Sequence, residues 1–538
     1  MKLAFSVRMI PLLGFVLGGA CQPGAPTGDR PDRVTVLVGT RPTVAEASLF
    51  PFDNHSIPFT QNVRLKLHPP RKYPGNPVLP RGLEGAPDEF GVQFYGSVVR
   101  HQGKFKLWYV AIGRDPFTVV EEDMMWTPRV DVIPLKWRAA YAESTDGIHW
   151  TRPALGLEEY DGSRDNNLVL MEPAPLGVIN LKVIHDPEDP DPSRQFKMSL
   201  HTWWHEEGKK GLGTLAPAVS GDGLRWRLAV PGTPENGLLP KESTVIPTDH
   251  FEAAGGLYKW GGLFHASGQG ARPVYAVDSW GRSVGTYRSP DFVRWEHTGT
   301  LSFSREGQHK KVPSGSGEES HEGISVWNRG NVLLGLYGVW HGSPDWRGRT
   351  VDLGFVVSND GVHFREPLTD FIFIRRGEDH EWDQGGLIQG QGFENVGEET
   401  YIWYGAWDPG SLEPRGGVGL ATLERDRLGS FSVRDDSIPA AFMTAAVEAR
   451  GEATLWVNAE GVSEDATLRL ELYDALERPM AGYSGEGAAL LTESGLRVPV
   501  SWPEGNGIPG MEKPFKIKVS FEGEKVAGIR VYALYVGT

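Results

Sequence analysis

A seven-residue string returns four times along this chain of 538 residues, and a long-period repeat limits the fold more tightly than any local propensity. The copies are STDGIHW at 144–150, SGDGLRW at 220–226, SPDFVRW at 289–295 and SNDGVHF at 358–364. Their aspartates, Asp146, Asp222, Asp291 and Asp360, recur at intervals of 76, 69 and 69 residues, and a weaker fifth copy, RDRLGSFS, carries Asp426 after a further 66. Each strong copy stands between an apolar run and an aromatic-bearing one, as RAAYAES and IHWTRP flank the first. Asp-Gly supplies the left-handed backbone of a short hairpin, and the Ser and Asp side chains can bond the turn amides. The motif therefore meets a structural need, the outer hairpin of a repeated sheet, and catalysis is not placed on it.

Two more strand-like runs precede each turn: VQFYGSVVRH and KFKLWYVAI in the first repeat, GISVWNRG and NVLLGLYGVWH in the fourth, GLIQGQGFENV and TYIWYGAWD in the fifth. Four strands in each of five repeats predict an all-β fold, a five-bladed β-propeller over 41–435. A six-bladed form using residues 34–70 is the alternative. From Ala441 the turn motif stops, and alternating runs such as LRLELYDA, FKIKVSFEG and GIRVYALYV predict a C-terminal β-sandwich over 441–538 as an accessory domain.

The first residues carry an address. Lys2 and Arg8 flank the start of an apolar run, IPLLGFVLGGA, too short to span a bilayer and suited to a signal peptide over 1–20. Cys21, the single cysteine, follows at once, and LGGAC resembles a bacterial lipobox, which implies a lipid-modified cysteine and an anchor in a membrane. Residues 21–40 then read as a polar tether. An exported lipoprotein at the cell surface or in the periplasm is expected, with Gln22 after the cysteine pointing to the outer membrane where there is one. The excess of 69 acidic over 54 basic residues, a net charge of −15, argues against a nucleic-acid partner. A carbohydrate is the expected partner, and the 18 tryptophans offer faces for sugar rings.

In a propeller the innermost strands begin near the axis, so residues at those starts converge. The first repeat offers Asp88, Glu89 and Gln93; the second Asn180, Lys182 and Asp186; the third His250 and Glu252; the fourth Glu319, His321 and Glu322; the fifth Asp383 and Gln384. Carboxylates crowded in one pocket raise one another's pKa, and glycosidic cleavage needs one acid still protonated beside another that is ionised. Asp88, Glu89, Asp186, Glu252, Glu322 and Asp383 are the catalytic candidates. Gln93, Asn180, His250, His321, Trp340, His341 and Gln384 are the substrate-binding ones, and Trp203, Trp204 and His205 end a strand in the second repeat. The long segment 114–137 is placed to wall the pocket. No HExxH or other fixed metal spacing occurs, and no cofactor is expected; a divalent cation held by His250, His321, His341 and His380 from different blades is the rival reading.

The segments NPVL at Asn76 and YAESTDGIHWTRPALGLEEYDGSRDNNLVL at 141–170, with the repeat plan, resemble bacterial relatives of the five-bladed glycoside hydrolases, the family 43 and family 32-like groups that include arabinanases, β-xylosidases, invertases and levansucrases. The resemblance implies a first-blade base or nucleophile at Asp88 or Glu89, an orienting acid at Asp186 and a general acid at Glu252 or Glu322. The NDPNG string of the invertase group is absent. Two other readings stay open. One is a non-catalytic glycan-binding surface lipoprotein; the other is a sialidase-type enzyme, whose hairpin STDGIHW also resembles.

Overall fold

A computed structural model describes residues 33–113, 137–173, 176–205, 212–230, 239–240, 251–270, 282–305, 318–343, 348–407, 415–503, 505, 507–508 and 513–538. The chain is all-β: the described residues form strands and three short 3-10 turns, with no α-helix.

Five mainly antiparallel sheets follow the repeat, the first and fifth joined edge to edge by short parallel pairings of Gly91–His101 with Leu387–Val396 and Arg415–Glu424. Sheet I holds Gly91–His101, Lys104–Ile112 and Trp137–Ser144; sheet II runs Asn180–His185, Phe196–His205, Leu212–Ser220 and Arg225–Leu228. Sheet III comprises Phe251–Glu252 and Leu257–Trp260, both on Leu263–Gly270, then Ser283–Ser289 and Glu296–His297. Sheet IV is Glu318–Asn328, Leu333–His341, Thr350–Ser358 and Ile372–Ile374. Sheet V has Leu387–Val396, Glu399–Ala406 and Arg415–Glu424, and its outer edge comes from far upstream, where Arg71–Lys72 and Leu79–Pro80 pair with Arg415–Glu424.

The strands read as nearly continuous apolar runs because both faces of each sheet are covered. One apolar core lies between each consecutive pair: Trp108 with Phe196 and Trp226 between I and II, Val219 with Phe264 between II and III, and Tyr258 with Leu333 between III and IV. Leu336 meets Tyr404 between IV and V, and Trp403 meets Phe105 between V and I. The first strands of neighbouring sheets touch in the same order, and that of V returns to that of I. Polar side chains cross the axis between them. Lys182 Nζ donates to the Tyr95 carbonyl at 2.5 Å, Gln391 exchanges two hydrogen bonds with the Leu257 backbone at 2.8 and 3.0 Å, and the Val183 amide donates to Ser97 Oγ at 2.9 Å.

The repeated turn is built as its sequence requires. In the first copy the Gly147 amide donates to Ser144 Oγ, while the Ile148 and His149 amides donate to Asp146 Oδ1 at 2.9 and 2.8 Å. The copies at Asp222 and Asp360 repeat that pattern, and the third keeps the aspartate bonds with Phe292 at φ +67° in the glycine place. The preceding sheet also grips the turn. Trp403 Nε1 of sheet V donates to the Gly147 carbonyl at 2.9 Å, Trp108 Nε1 of sheet I to that of Gly223 at 2.7 Å, and the Tyr258 hydroxyl of sheet III to that of Gly361 at 2.8 Å. The copies at Asp146, Asp222 and Asp360 are thus each both a hairpin and a lock on a neighbouring sheet. Trp403→Phe keeps most of the apolar ring but leaves a buried carbonyl one donor short, so a loss of about 1–2 kcal/mol is expected in urea denaturation.

Strands upstream of residue 68 do not join the repeats as expected for a unit starting at 41. Arg33–Val36 pairs with Val447–Arg450, Glu46–Leu49 with Arg530–Gly537, Phe59–Gln61 with Ala440–Met443 and Val63–Leu67 with Gly429–Val433. They complete two sheets around one apolar core, with Leu468, Leu470, Ile517 and Val519 on one side and Leu455, Val457 and Val536 on the other. Phe515–Gly523 alternates buried and half-buried residues as a one-faced strand should, whereas Arg530–Gly537 is buried on both faces. Its second face supplies Ala533 and Tyr535 to the core of sheets IV and V.

Candidate active site

Two glutamates from different sheets meet where the first strands begin. Glu252 ends Phe251–Glu252 in sheet III, and Glu322 lies on the first strand of sheet IV. That strand breaks register between His321 and Ile324, and Glu322 and Gly323 take φ of +61° and +85°. A bulge with a non-glycine residue in the left-handed region costs of order 1–3 kcal/mol and re-aims a side chain. Gly323 is required there, since a Cβ would come within 2.8 Å of the Gly268 Cα.

The bulge brings Glu322 beside Glu252, whose charge and hydrogen-bonding favour the protonated form of Glu322. Burial, then the Glu252 charge, push the Glu322 pKa well above the carboxylate range, against an opposing pull from Arg282. Gln269 bridges the two: its Nε2 donates to Glu252 Oε2, and its Oε1 accepts the Glu322 amide at 3.2 Å. The Glu322 side chain retains 13% exposure and Glu252 is also partly exposed, so the pair is reached from solvent.

Around the pair stands a shell from all five sheets. Arg282 Nη1 contacts His321 Nδ1 at 2.5 Å, its Nε lies 3.5 Å from buried Glu319, and its guanidinium covers the Trp340 ring at 4.5 Å. His321 Nε2 lies 3.1 Å from the Tyr95 hydroxyl. Its ring stacks on Trp407 at 5.6 Å. Gln389 Nε2 donates to the His321 carbonyl at 2.6 Å, closing the floor above Lys182. Burial drives the Lys182 pKa well below its usual value.

Of the expected substrate-binding residues, Gln93, Asn180 and His321 lie at these strand starts. Gln93 Nε2 donates to Asn180 Oδ1 at 3.1 Å, and Asn180 Nδ2 meets His201 Nδ1 at 3.2 Å. Trp340 is fully buried beneath Arg282, and the partly exposed Trp407 takes the outer place. His341 pairs with Asp352 at 3.0 Å. Gln384 accepts the His380 amide at 2.5 Å within a turn. His250 and Cys21 lie outside the described residues, as do the side chains of Trp203, Trp204 and His205.

The other expected acids are not brought to the pair. Asp88, fully buried, accepts from the Tyr109 hydroxyl at 2.7 Å and Arg152 Nε at 2.8 Å. Asp383 repeats that construction in sheet V, accepting from the Tyr404 hydroxyl at 3.0 Å and Lys72 at 2.7 Å. Both aspartates pin the segment entering a first strand to the tyrosine of the second. Glu89 accepts the Gly85 amide at 2.8 Å in the adjoining loop. Asp186 comes after the end of its strand, opposite Asn180, and pairs with Lys259 at 2.9 Å. Among the described residues no group of three or more potential metal ligands occurs.

Sequence reasoning missed Tyr95, Gln269, Arg282, Gln389 and Trp407. Gln389 had a signal: LIQGQG sets polar residues inside an otherwise apolar strand, where each must serve a partner. Arg282 had none, since its partners lie in other segments.

The solved structures that the chain resembles include glycoside hydrolases and other carbohydrate-active proteins. One is from the GH130 family of mannoside phosphorylases, which contains glycoside hydrolases that target beta-1,2 mannosidic linkages in Candida mannan (16% identity, 67% of this chain and 94% of that one, TM-score 0.40). Another is a glycosyl hydrolase from Bacteroides ovatus (17%, 67% and 95%, TM-score 0.41). A third is an N-acetylgalactosamine deacetylase from F. plautii in complex with blood group B trisaccharide (14%, 67% and 96%, TM-score 0.41). No family model and no curated protein matches the chain. At this distance the residue roles rest on the chain's own geometry.

Proposed function

We propose that the protein is an exported glycoside hydrolase in which sheets I–V form a five-bladed β-propeller and the two remaining sheets a β-sandwich. The observation that carries the reading is the meeting of Glu252 and the bulge-borne Glu322, bridged by Gln269, where burial and the Glu252 charge favour a protonated Glu322. A protonated carboxyl beside an ionised one is the equipment of glycosidic cleavage. Glu322 gives its proton to the leaving oxygen as the glycosidic bond breaks. Carboxyl groups in contact lie on the narrow side of the separations that part the two stereochemical courses, roughly 5 Å for retention and 6.5–9.5 Å for inversion. Glu252 accordingly attacks the anomeric carbon, forming a glycosyl ester. Water then displaces Glu252, and Glu322 takes the water's proton, which restores both groups. The direct bonds across the axis support a blind pocket, so product leaves by the mouth through which substrate enters. Gln93 and Trp407 are the proposed sugar contacts, through hydroxyl bonding and ring stacking.

Incubation with a panel of arabinans, xylans, fructans, mannans and sulfated glycans tests this directly. Reducing ends are expected from at least one, with the product anomer matching the substrate in early proton NMR spectra. Binding without release, unchanged in Glu252→Gln and Glu322→Gln, would instead leave a glycan-binding protein. We also propose lipidation at Cys21. Expression with a labelled fatty acid is expected to tag the natural protein and not Cys21→Ala, which should leave the membrane fraction.

A further inference from the structure

The proposed acid has a proton to give, and the groups around it decide which of its oxygens holds that proton. Those facing Glu322 are Glu252 and Arg282 from sheet III, His321 from its own strand, Tyr95 from sheet I and Lys182 from sheet II. An arginine can only donate, so its 2.5 Å contact makes His321 Nδ1 an acceptor. The imidazole is then neutral, with its one proton on Nε2. Burial and the Arg282 charge, which hold the His321 pKa well below the usual value, agree with that tautomer. From Nε2 the proton faces the Tyr95 hydroxyl at 3.1 Å and Glu322 Oε1 at 3.9 Å. The second distance is too long for a hydrogen bond in the resting site, and such contacts close as charge develops. No donor among the described residues reaches Glu322 Oε2.

We infer that Arg282 and His321 form a positioning couple that fixes an N–H toward Glu322 Oε1, leaves the proton on Oε2, and stabilises the carboxylate once that proton has gone to the leaving group. This rests on the hydrolytic reading for its purpose, but the couple is measurable without turnover. Arg282 acts on Glu322 directly, through its charge, and also at one remove, through the tautomer it imposes, so the two histidine variants isolate the second effect. In Arg282→Gln the histidine is free to carry its proton on Nδ1, which turns a lone pair toward Oε1. In His321→Gln a side-chain amide keeps a donor near the Nε2 place, whereas His321→Asn is too short to reach it.

The test reads the Glu322 midpoint from the pH dependence of thermal stability, each variant being compared with the same variant carrying Glu322→Gln so that every other group cancels. Arg282→Gln and His321→Asn are expected to raise the midpoint by about one unit or more, since each removes stabilisation of the charged form. His321→Gln is expected to hold it within a few tenths. Where hydrolysis is found, the alkaline limb of kcat should follow the same order. An unmoved midpoint in folded Arg282→Gln, or equal shifts in His321→Gln and His321→Asn, would overturn the couple. If Arg282→Gln does not fold, the two histidine variants decide. Absence of turnover on every glycan, with the midpoints moving as stated, would count against the hydrolytic reading and leave the couple intact.

Discussion

Glu322→Gln is expected to be inactive yet more stable than the natural protein at pH 7–8. A glutamine amide can donate to Glu252 as the protonated acid does, so the packing and the hydrogen bond survive. What disappears is the titration. The native state holds the Glu322 proton well above the ordinary value of 4.5, whereas the unfolded chain releases it near that value. Between the two the folded form binds more protons, so its stability declines as pH rises through that window. Below pH 4.5 both states are protonated and the difference vanishes. The stability gap between Glu322→Gln and the natural protein should therefore open above pH 4.5 and widen until the folded group titrates. Parallel melting curves across pH read this directly, and a gap constant with pH would rule out a protonated Glu322 in the folded state. Loss of the general acid should lower kcat on an unactivated substrate by about 10²–10⁴-fold. A residue that strains its backbone at φ +61° and weakens the fold as pH rises carries a stability cost for which the proposed acid role accounts.

Local chemistry made much of this architecture readable. Ser-x-Asp-Gly turns at a fixed period can hardly serve anything but repeated hairpins, and the runs upstream of Asp146 and Asp360 form the strands expected of them. The closing edge was hidden. Nothing in RK at 71–72 or LP at 79–80 says that it lies against Arg415–Glu424, because two-residue pairings carry no periodicity. The fifth copy also differs from the others in kind. Asp426 is itself left-handed, at φ +61°, where the other copies place the residue after the aspartate there, and it faces a partly buried arginine rather than a row of amides.

The acids show a similar limit. Asp88, Glu252, Glu322 and Asp383 all lie at or near the start of a first strand, and in sequence they look interchangeable. Their environments separate them. Asp88 and Asp383 find a tyrosine and a cation 21 or more residues away, which neutralise their charge in place. Glu252 and Glu322 find each other, and their pairing depends on a bulge whose only written sign is Gly323. Physical partnership across sheets, not residue type, divides a structural acid from a reactive one.

The same rule makes Asp426 a sensitive position for folding. Its carboxylate, 1% exposed, accepts from both Arg329 amino nitrogens, from Asn395 Nδ2 at 3.0 Å and from the Tyr535 hydroxyl at 2.8 Å. Sheets IV and V and the last strand of the second unit thus meet on one group. Burial alone would raise its pKa, yet Arg329 and the neutral donors hold it below the ordinary 3.8, so this stabilisation is present at neutral pH and lost as pH falls below that value. Asp426→Asn keeps the shape but leaves Arg329, 12% exposed, without its counter-charge. Breaking one half of such a pair costs about 3–5 kcal/mol, most of it the penalty on the partner left behind. Tyr535→Phe, which removes only a neutral donor, should cost about 1 kcal/mol. Replacing both charges, Arg329→Met with Asp426→Leu, should destabilise less than either single change, because no uncompensated charge remains. Chemical denaturation of Asp426→Asn, Tyr535→Phe, Arg329→Met, Asp426→Leu and the double mutant checks this order. Equal losses in Asp426→Asn and Tyr535→Phe would mean that the charge contributes nothing and that apolar packing of Ala533 and Tyr535 alone joins the two units.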